Sequence, residues 1–186
     1  PLNVYGYSKF LFDQIVRQRL PQANSQVAGF RYFNVYGPRE SHKGRMASVA
    51  FHHYRQFLAE GKVRLFEGCD GYAAGEQKRD FVYVKDCTAL MAWLLERGDV
   101  NGIHNVGTGS ARSFNELGRA VFAALGRECR IDYVDMPETL RGKYQNYTRA
   151  DMDWLARAGC PLDFTSLEEG AADYVRNYLE KEDSYL

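Results

Sequence analysis

Apolar residues recur at two different spacings along this chain, and the spacing changes from one segment to the next. Strand-like runs are predicted at residues 26–35, 63–66, 81–84, 103–106 and 131–134. Helical spacing, with apolar residues three or four positions apart, is predicted at residues 5–20, 47–60, 86–96, 114–125, 150–158 and 166–181. Alternation of this kind is typical of α/β proteins that contain a parallel sheet.

Two of the predicted helices carry a local start signal. Ser113 is followed three residues later by Glu116, and Ser166 is followed in the same way by Glu169. Each pair is a capping box, in which the two side chains satisfy backbone amides that the helix itself leaves open. Residues 68–78 are polar and contain glycine, so we expect a loop there.

The first predicted helix contains a tyrosine and a lysine four residues apart. Tyr5 and Lys9 would therefore lie on the same helix face. A free tyrosine is protonated at neutral pH, but a neighbouring cation favours the phenolate, which can act as a base. The spacing predicts a pair that transfers protons, although chance alone also places Tyr and Lys four residues apart on some helices.

Composition excludes several classes of protein. Among 186 residues, 24 Lys and Arg balance 24 Asp and Glu, so no global field favours nucleic acid or an anionic membrane. The hydrophobic share of 45% is sufficient for one globular core. Neither paired CxxC motifs nor an HExxH motif occurs, which disfavours a metal site. We expect reduced thiols, no membrane span and a cytoplasmic location.

Three basic clusters fall near predicted strand ends. The first combines Arg39, Lys43 and Arg45 with a single acid, Glu40, in the segment 34–45. The other two clusters are Lys78 with Arg79, and Arg141 with Lys143. In α/β proteins ligands bind beyond the carboxyl ends of strands, so these clusters could converge on a polyanion such as a diphosphate. The alternative is that they are solvated surface charges, and spacing alone leaves both interpretations open.

A glycine-rich loop that would hold a dinucleotide is absent from the sequence. Gly107-Thr108-Gly109 resembles a fragment of GxGxxG, but the elements around it do not match, so we interpret it as a turn. The main cradle of any nicotinamide cofactor should then lie outside these residues. Because the chain opens at Pro1 instead of Met, with its tyrosine–lysine pair near the terminus, we expect it to be a piece of a longer protein.

The order of four motifs resembles that of a known enzyme family. The motifs are Tyr5-x-x-x-Lys9, RYFNVYGP at 31–38, RDFVYVKD at 79–86 and NVGTG at 105–109. This order resembles the extended short-chain dehydrogenases/reductases, a family that contains the nucleotide-sugar epimerases and dehydratases. Residues 37–52 and 142–151 are similar to a narrower group within it, the ADP-L-glycero-D-manno-heptose 6-epimerases.

The resemblance implies a fold and a domain division. It implies the C-terminal part of a Rossmann-like doubly wound parallel sheet plus a smaller mixed α/β substrate-binding domain. Residues 1–40 would be a remnant of the NADP-binding domain, and 41–186 would be mainly substrate-binding. Residues 81–106 would return to the Rossmann sheet.

The resemblance also implies a reaction. Members use NADP to oxidise C6 of ADP-heptose transiently to a ketone and then return the hydride to the opposite face, in lipopolysaccharide inner-core synthesis. By correspondence, Tyr5 and Lys43 would be the two acid/base groups, with Lys9 as helper. Lys9, Val35 and Lys43 would contact the cofactor. The substrate contacts would be Asn34, Arg45, His52, Phe66, Glu67, Gly68, Cys69, Arg79 and Tyr144. Family members assemble as homo-oligomers, and the resemblance implies pentamers.

Two other functions stay open at this stage. The chain could belong to another nucleotide-sugar 4-epimerase or 4,6-dehydratase, or it could be a non-catalytic binding or assembly domain. Arg45 and Cys69 stand where relatives often carry serine. Since the glycine-rich loop is missing, we expect the isolated chain to bind NADP weakly and to be inactive.

Overall fold

A computed structural model describes residues 4–140, 142 and 144–181 of the chain. Its α-helices are α1 (Val4–Arg19), α2 (Val49–Glu60), α3 (Val84–Leu95), α4 (Phe114–Ala124), α5 (Asp153–Arg157) and α6 (Leu167–Tyr174). Its strands are β1 (Ala28–Tyr32), β2 (Asn34–Tyr36), β3 (Val63–Phe66), β4 (Lys78–Tyr83), β5 (Gly102–Val106), β6 (Ala111–Ser113) and β7 (Ile131–Val134). Short 3₁₀ helices lie at Leu20–Gln22 and Ser41–Met46, and a π-helical turn lies at Val175–Leu179. The predicted mixed α/β class is confirmed.

Most strand pairs are parallel. β1 pairs with β5, β2 with β4 and β3 with β7, each in parallel, whereas β6 is antiparallel to β4. The single strand predicted at 26–35 is in fact two strands. At Phe33 the backbone amide donates to the Val106 carbonyl at 2.9 Å, after which the chain leaves β5 and pairs with β4.

Two predicted element starts are wrong. The strand predicted at 81–84 begins earlier, because Lys78 to Asp80 pair with β6, a three-residue strand too short to show a period. The helix predicted from residue 150 begins at Asp153. The Ala150 amide donates instead to the Asp80 carboxylate at 2.9 Å, which holds this segment outside the helix.

Both predicted capping boxes are present. The Ser113 hydroxyl accepts from the Glu116 amide at 3.2 Å, and the Glu116 carboxylate accepts from the Ser113 amide at 2.6 Å. Ser166 and Glu169 repeat the arrangement at the start of α6. Four of the amides that these two helices leave open are thereby satisfied by local contacts alone.

β4 lies between two apolar cores. Phe81 and Tyr83 face a core built mainly from α2, α4 and α6, with Leu117 and Val121 fully buried in it. Val82 faces the other core, formed with α3 and α5 around Trp154. Burial on both faces makes β4 a rigid support, and its neighbour β2 leads directly into the loop that carries Lys43.

Candidate active site

Tyr5 and Lys9 line a large cleft between α1, β1 and β5, which we call the tyrosine cleft. Its volume is about 1060 Å³. Tyr5 is 72% exposed, so its phenol is open to a ligand. The Lys9 ammonium lies 5.3 Å from the centre of the Tyr5 ring, which confirms that the two residues share one helix face. The arrangement brings a cation to the aromatic ring, as the spacing predicted.

An ion pair between a buried Asp13 and an exposed Arg31 holds α1 against the sheet. Asp13, on the inner face of α1, is largely buried and accepts a hydrogen bond from the Arg31 guanidinium on β1. One turn earlier the Ser8 hydroxyl donates to the Tyr5 carbonyl at 2.8 Å. Because the pair lies one turn beyond Lys9, it fixes the height at which Tyr5 and Lys9 meet the cleft.

Lys43 lines a second cleft of about 340 Å³, the lysine cleft, together with Asn34, Val35 and Glu40. Phe33 lines both this cleft and the tyrosine cleft, so the two are neighbours. Asn34 and Val35 lie on β2, the strand that precedes the loop. Three of the predicted contact residues therefore line one cleft, which adjoins the cleft of Tyr5 and Lys9 at Phe33.

The third cleft is smaller and aromatic. This aromatic cleft, of about 180 Å³, is lined by His52, Phe66 and Tyr144 among others. The rings of Phe66 and Tyr144 meet edge to face, with centroids 5.9 Å apart. Val49 at the start of α2 lines both the aromatic and the lysine clefts. Such a cleft suits a flat ring or an apolar group of a ligand.

Arg79 is a buried cation that contacts two rings of the aromatic cleft. It is 8% exposed, and its guanidinium lies 5.1 Å from the centre of the Tyr144 ring and 5.6 Å from that of Phe114. Burial lowers the pKa of Arg79. Burial also raises the pKa of Tyr144, and the positive charge of Arg79 partly offsets that rise. In the described part of the chain no carboxylate forms an ion pair with it, and its hydrogen bond goes to the Lys78 carbonyl at 2.9 Å. A buried, unneutralised guanidinium is suited to bind an anion.

Glu67, Gly68 and Cys69 line a fourth cleft, of about 320 Å³. Gln77 donates to the Glu67 carbonyl at 3.1 Å, and the Cys69 thiol lies 3.4 Å from the Asn146 side-chain oxygen. A Cβ on Gly68 would come within 2.2 Å of the Tyr72 carbonyl oxygen, so the close approach of the chain requires glycine there. These residues form a wall that continues from Phe66.

The remaining predicted basic residues are Arg45 and the third basic cluster. Arg45 is exposed and does not line the lysine cleft. The third basic cluster, Arg141 with Lys143, lies outside the described residues. Lys43 lines the lysine cleft, and Arg79 contacts Phe114 and Tyr144, two rings that line the adjoining aromatic cleft.

The Gly107-Thr108-Gly109 segment donates hydrogen bonds to the buried carboxylate of Asp80. The amides of Thr108 and Gly109 donate to Asp80 at 2.7 and 2.9 Å, and the Thr108 hydroxyl adds a third bond at 2.8 Å. Backbone amides that are occupied in this way do not offer a phosphate cradle. The geometry agrees with its interpretation as a turn.

Sequence reasoning missed two buried carboxylates that support the clefts. Glu40 accepts hydrogen bonds from Ser48 and Tyr174. Asp80 holds the turn just described and the Ala150 amide. The one available signal was an acid placed directly beside an arginine in each case, which spacing alone does not distinguish from a surface pair.

Other site types find no support in the described residues. These residues contain no group of three or more His, Cys, Asp or Glu side chains placed to hold a metal ion. All four cysteines are unpaired. None of the described helices combines the length and the apolar character that crossing a membrane requires.

Comparison with known proteins identifies one enzyme family. Residues 1–107 match the NAD dependent epimerase/dehydratase family. ADP-L-glycero-D-manno-heptose-6-epimerases of Thiobacillus denitrificans and Alkalilimnicola ehrlichii are 55% and 56% identical, each over 97% of this chain. The chain spans 58% and 55% of their lengths. The crystal structure of the enzyme of that name from Helicobacter pylori superposes with a TM-score of 0.77 at 34% identity, over 95% of this chain and 51% of that one.

The family match covers more than half of the chain, including Tyr5, Lys9, Lys43 and Arg79. The predicted resemblance to ADP-heptose epimerases is confirmed at the level of sequence similarity. The chain belongs to the NAD-dependent epimerase/dehydratase family.

Proposed function

We propose that this chain is the substrate-binding half of an enzyme that converts ADP-D-glycero-D-manno-heptose to ADP-L-glycero-D-manno-heptose. The product would serve lipopolysaccharide inner-core synthesis. The names of the relatives support this substrate. The observation that carries the proposal is that the clefts of Tyr5 and Lys43 meet at Phe33. Inversion at one carbon needs proton-transfer groups on two sides of it, and neighbouring clefts can provide them.

We assign Tyr5 and Lys43 as the two acid/base groups. In the first half-reaction the C6–H and O6–H bonds break, one group takes the O6 proton, and a ketone forms. In the second half-reaction, after the ketone has rotated to present its opposite face, the other group returns a proton to O6. One group therefore begins deprotonated and the other protonated. We assign Lys9 as the helper of Tyr5, because its ammonium lies 5.3 Å from the centre of the Tyr5 ring.

The cofactor proposed is NADP. When bound, it accepts the C6 hydride and returns it. The tyrosine cleft is large enough for a nicotinamide ribose, and Tyr5 and Lys9 would hold that end while Val35 and Lys43 contact it from the lysine cleft. The cofactor phosphates would need residues from outside this chain, since the amides at Thr108 and Gly109 already bind Asp80.

The rest of the substrate would extend into the other clefts. We assign the diphosphate to Arg79, because a buried guanidinium gains most from a bound anion. His52, Phe66 and Tyr144 would contact the nucleoside, and Asn34 and Arg45 the sugar. The wall at Glu67, Gly68 and Cys69 would complete the substrate site.

Three further parts of the proposal rest on resemblance to the family. The whole enzyme would be a cytoplasmic homo-oligomer, and the isolated chain would be inactive. For the isolated chain, purified protein is mixed with NADP and ADP-heptose. We expect no turnover, and measurable epimerisation would contradict this part of the proposal.

The catalytic assignment is tested in the whole protein by Tyr5→Phe and Lys43→Met. Inversion at C6 is followed by NMR with ADP-D-glycero-D-manno-heptose. We expect each variant to lose about 10²- to 10⁴-fold in kcat, which is the usual contribution of a positioned acid or base. Tyr147→Phe and Lys62→Met are the matched controls, because both side chains lie outside the tyrosine and lysine clefts.

The outcomes separate the candidate functions. Turnover of ADP-heptose lost in both variants and kept in both controls supports the proposal. A wild-type enzyme that ignores ADP-heptose but epimerises or dehydrates another nucleotide sugar would assign that activity instead. Full activity in the double variant would leave a binding or assembly role. Replacing NADP by NAD in the same assay tests the cofactor.

A further inference from the structure

Glu40 is a buried carboxylate at the edge of the lysine cleft. It is 4% exposed, and its oxygens accept from the Ser48 amide at 2.6 Å, the Ser48 hydroxyl at 2.6 Å and the Tyr174 hydroxyl at 2.9 Å. Leaving a buried charge without partners is costly, and three donors here compensate it. Its contacts join the loop, the start of α2 and the end of α6.

The same residue holds the backbone around Lys43 on both sides. The Lys43 amide donates to the Glu40 carbonyl at 2.9 Å. Downstream, the loop ends at Ser48, whose hydroxyl and amide bind the Glu40 carboxylate and whose oxygen also caps α2 through the Phe51 amide at 3.2 Å. The Glu40 side chain thus links the two ends of the segment from residue 40 to residue 48.

The segment needs this support because its backbone is unusual. Arg39 has φ 69° and Gly44 has φ 53°, on either side of Lys43. A non-glycine residue in the left-handed region is strained and persists only where surrounding contacts impose it. Lys43 itself is exposed and its side chain is flexible, so the backbone sets the point from which its amine reaches the lysine cleft.

We propose that Glu40, anchored by Tyr174, is the positioning residue that sets the Lys43 amine in the lysine cleft. This inference rests on the proposed function, because that function assigns a proton transfer to Lys43. Proton transfer is sensitive to displacements of about 1 Å, so releasing one anchor should lower kcat while substrate binding through Arg79 and the aromatic cleft persists.

The test uses Tyr174→Phe in the whole protein. The variant removes only the hydroxyl that donates to Glu40. We expect kcat to fall about 10- to 100-fold, with KM changed less than about 2-fold. Tyr54→Phe is the matched control, because its buried hydroxyl also bonds to the C-terminal helical segment, at the Leu179 carbonyl at 2.8 Å, but does not contact Glu40. The control should keep wild-type kcat.

A second background separates positioning from general loosening. In a Lys43→Met enzyme the amine is gone, so adding Tyr174→Phe should lower the residual rate no further. A purely structural role would lower the rate in both backgrounds. If Tyr174→Phe fails to fold, Glu40→Gln supplies the same comparison, because it keeps the size of the side chain and removes its charge.

The results distinguish the inference from the proposed function. Suppose that the Lys43→Met enzyme is impaired. If Tyr174→Phe then behaves like Tyr54→Phe, or if its effect on the rate multiplies with that of Lys43→Met, the inference is overturned and the proposed function stands. An active Lys43→Met enzyme overturns both. A fall in kcat confined to the lysine-containing background supports the assignment of Glu40.

Discussion

Arg79 and Asp80 are adjacent, oppositely charged and both buried, yet they do not neutralise each other. Successive side chains of a strand point to opposite faces, so the pair is split between two environments. Asp80 is fully buried and accepts four hydrogen bonds, from the Thr108 amide and hydroxyl and from the Gly109 and Ala150 amides. Arg79 is held by two aromatic rings and a carbonyl. Asp80 therefore serves the fold, whereas the charge of Arg79 is not neutralised by any carboxylate of the described residues.

Asp80→Asn should destabilise the chain by about 2–4 kcal/mol. The amide keeps the size of the side chain but presents N–H donors to amides that already donate, so bonds to a charged acceptor are lost in a buried place. Urea unfolding measured by circular dichroism gives the free energy. Asp163→Asn is the control, because that side chain is exposed. Equal stability of the two variants would contradict the role of Asp80.

At the scale of elements, what could be predicted depended on local contacts. The Ser113–Glu116 box and the Tyr5–Lys9 pair each involve residues three or four apart, and both were predicted from the sequence. The split at Phe33 depends on Val106, a partner from a distant segment, so an unbroken apolar run could not reveal it. The contact between Glu40 and Tyr174 spans 134 positions and was invisible for the same reason.

A second long-range contact ties α6 to the end of β4 and makes stability depend on pH. Burial disfavours the Asp173 carboxylate, but hydrogen bonds from Lys85 and Tyr83, at 2.6 Å each, and from Asn177 outweigh it and lower the pKa of Asp173 to about 2. Since the folded pKa lies below the unfolded value, the stabilisation is present above about pH 4 and is lost as the pH falls towards 2.

Asp173→Asn should therefore lower stability at pH 7 by about 1–2 kcal/mol, a value reduced for the partial exposure of the ion pair with Lys85. The difference from wild type should shrink as the pH falls from 4 to 2. Urea unfolding across that range measures it, with Asp163→Asn again as control. A difference that is the same at pH 7 and pH 2.5 would exclude the linkage.

The whole molecule presents its clefts in a connected order. The tyrosine cleft adjoins the lysine cleft at Phe33, and the lysine cleft adjoins the aromatic cleft at Val49. Phe33, where the first two meet, directly follows the carboxyl end of β1, a parallel strand. An elongated ligand could thus be held by rigid strands at its centre.

One side of the molecule has a very different character, because α1 exposes an apolar face. Leu11 and Ile15, one helical turn apart, are 44% and 56% exposed, and in the described residues β1 pairs only with β5. Contiguous exposed apolar surface beside an open strand edge favours association.

We expect the isolated chain to sediment as more than a monomer at micromolar concentration, and Leu11→Glu with Ile15→Lys to make it monomeric. Leu58→Glu with Leu95→Lys is the matched control, since these side chains are 59% and 84% exposed on other helices and should leave association unchanged. Association that survives the α1 substitutions, or that the control pair abolishes equally, would place the contact elsewhere on the surface.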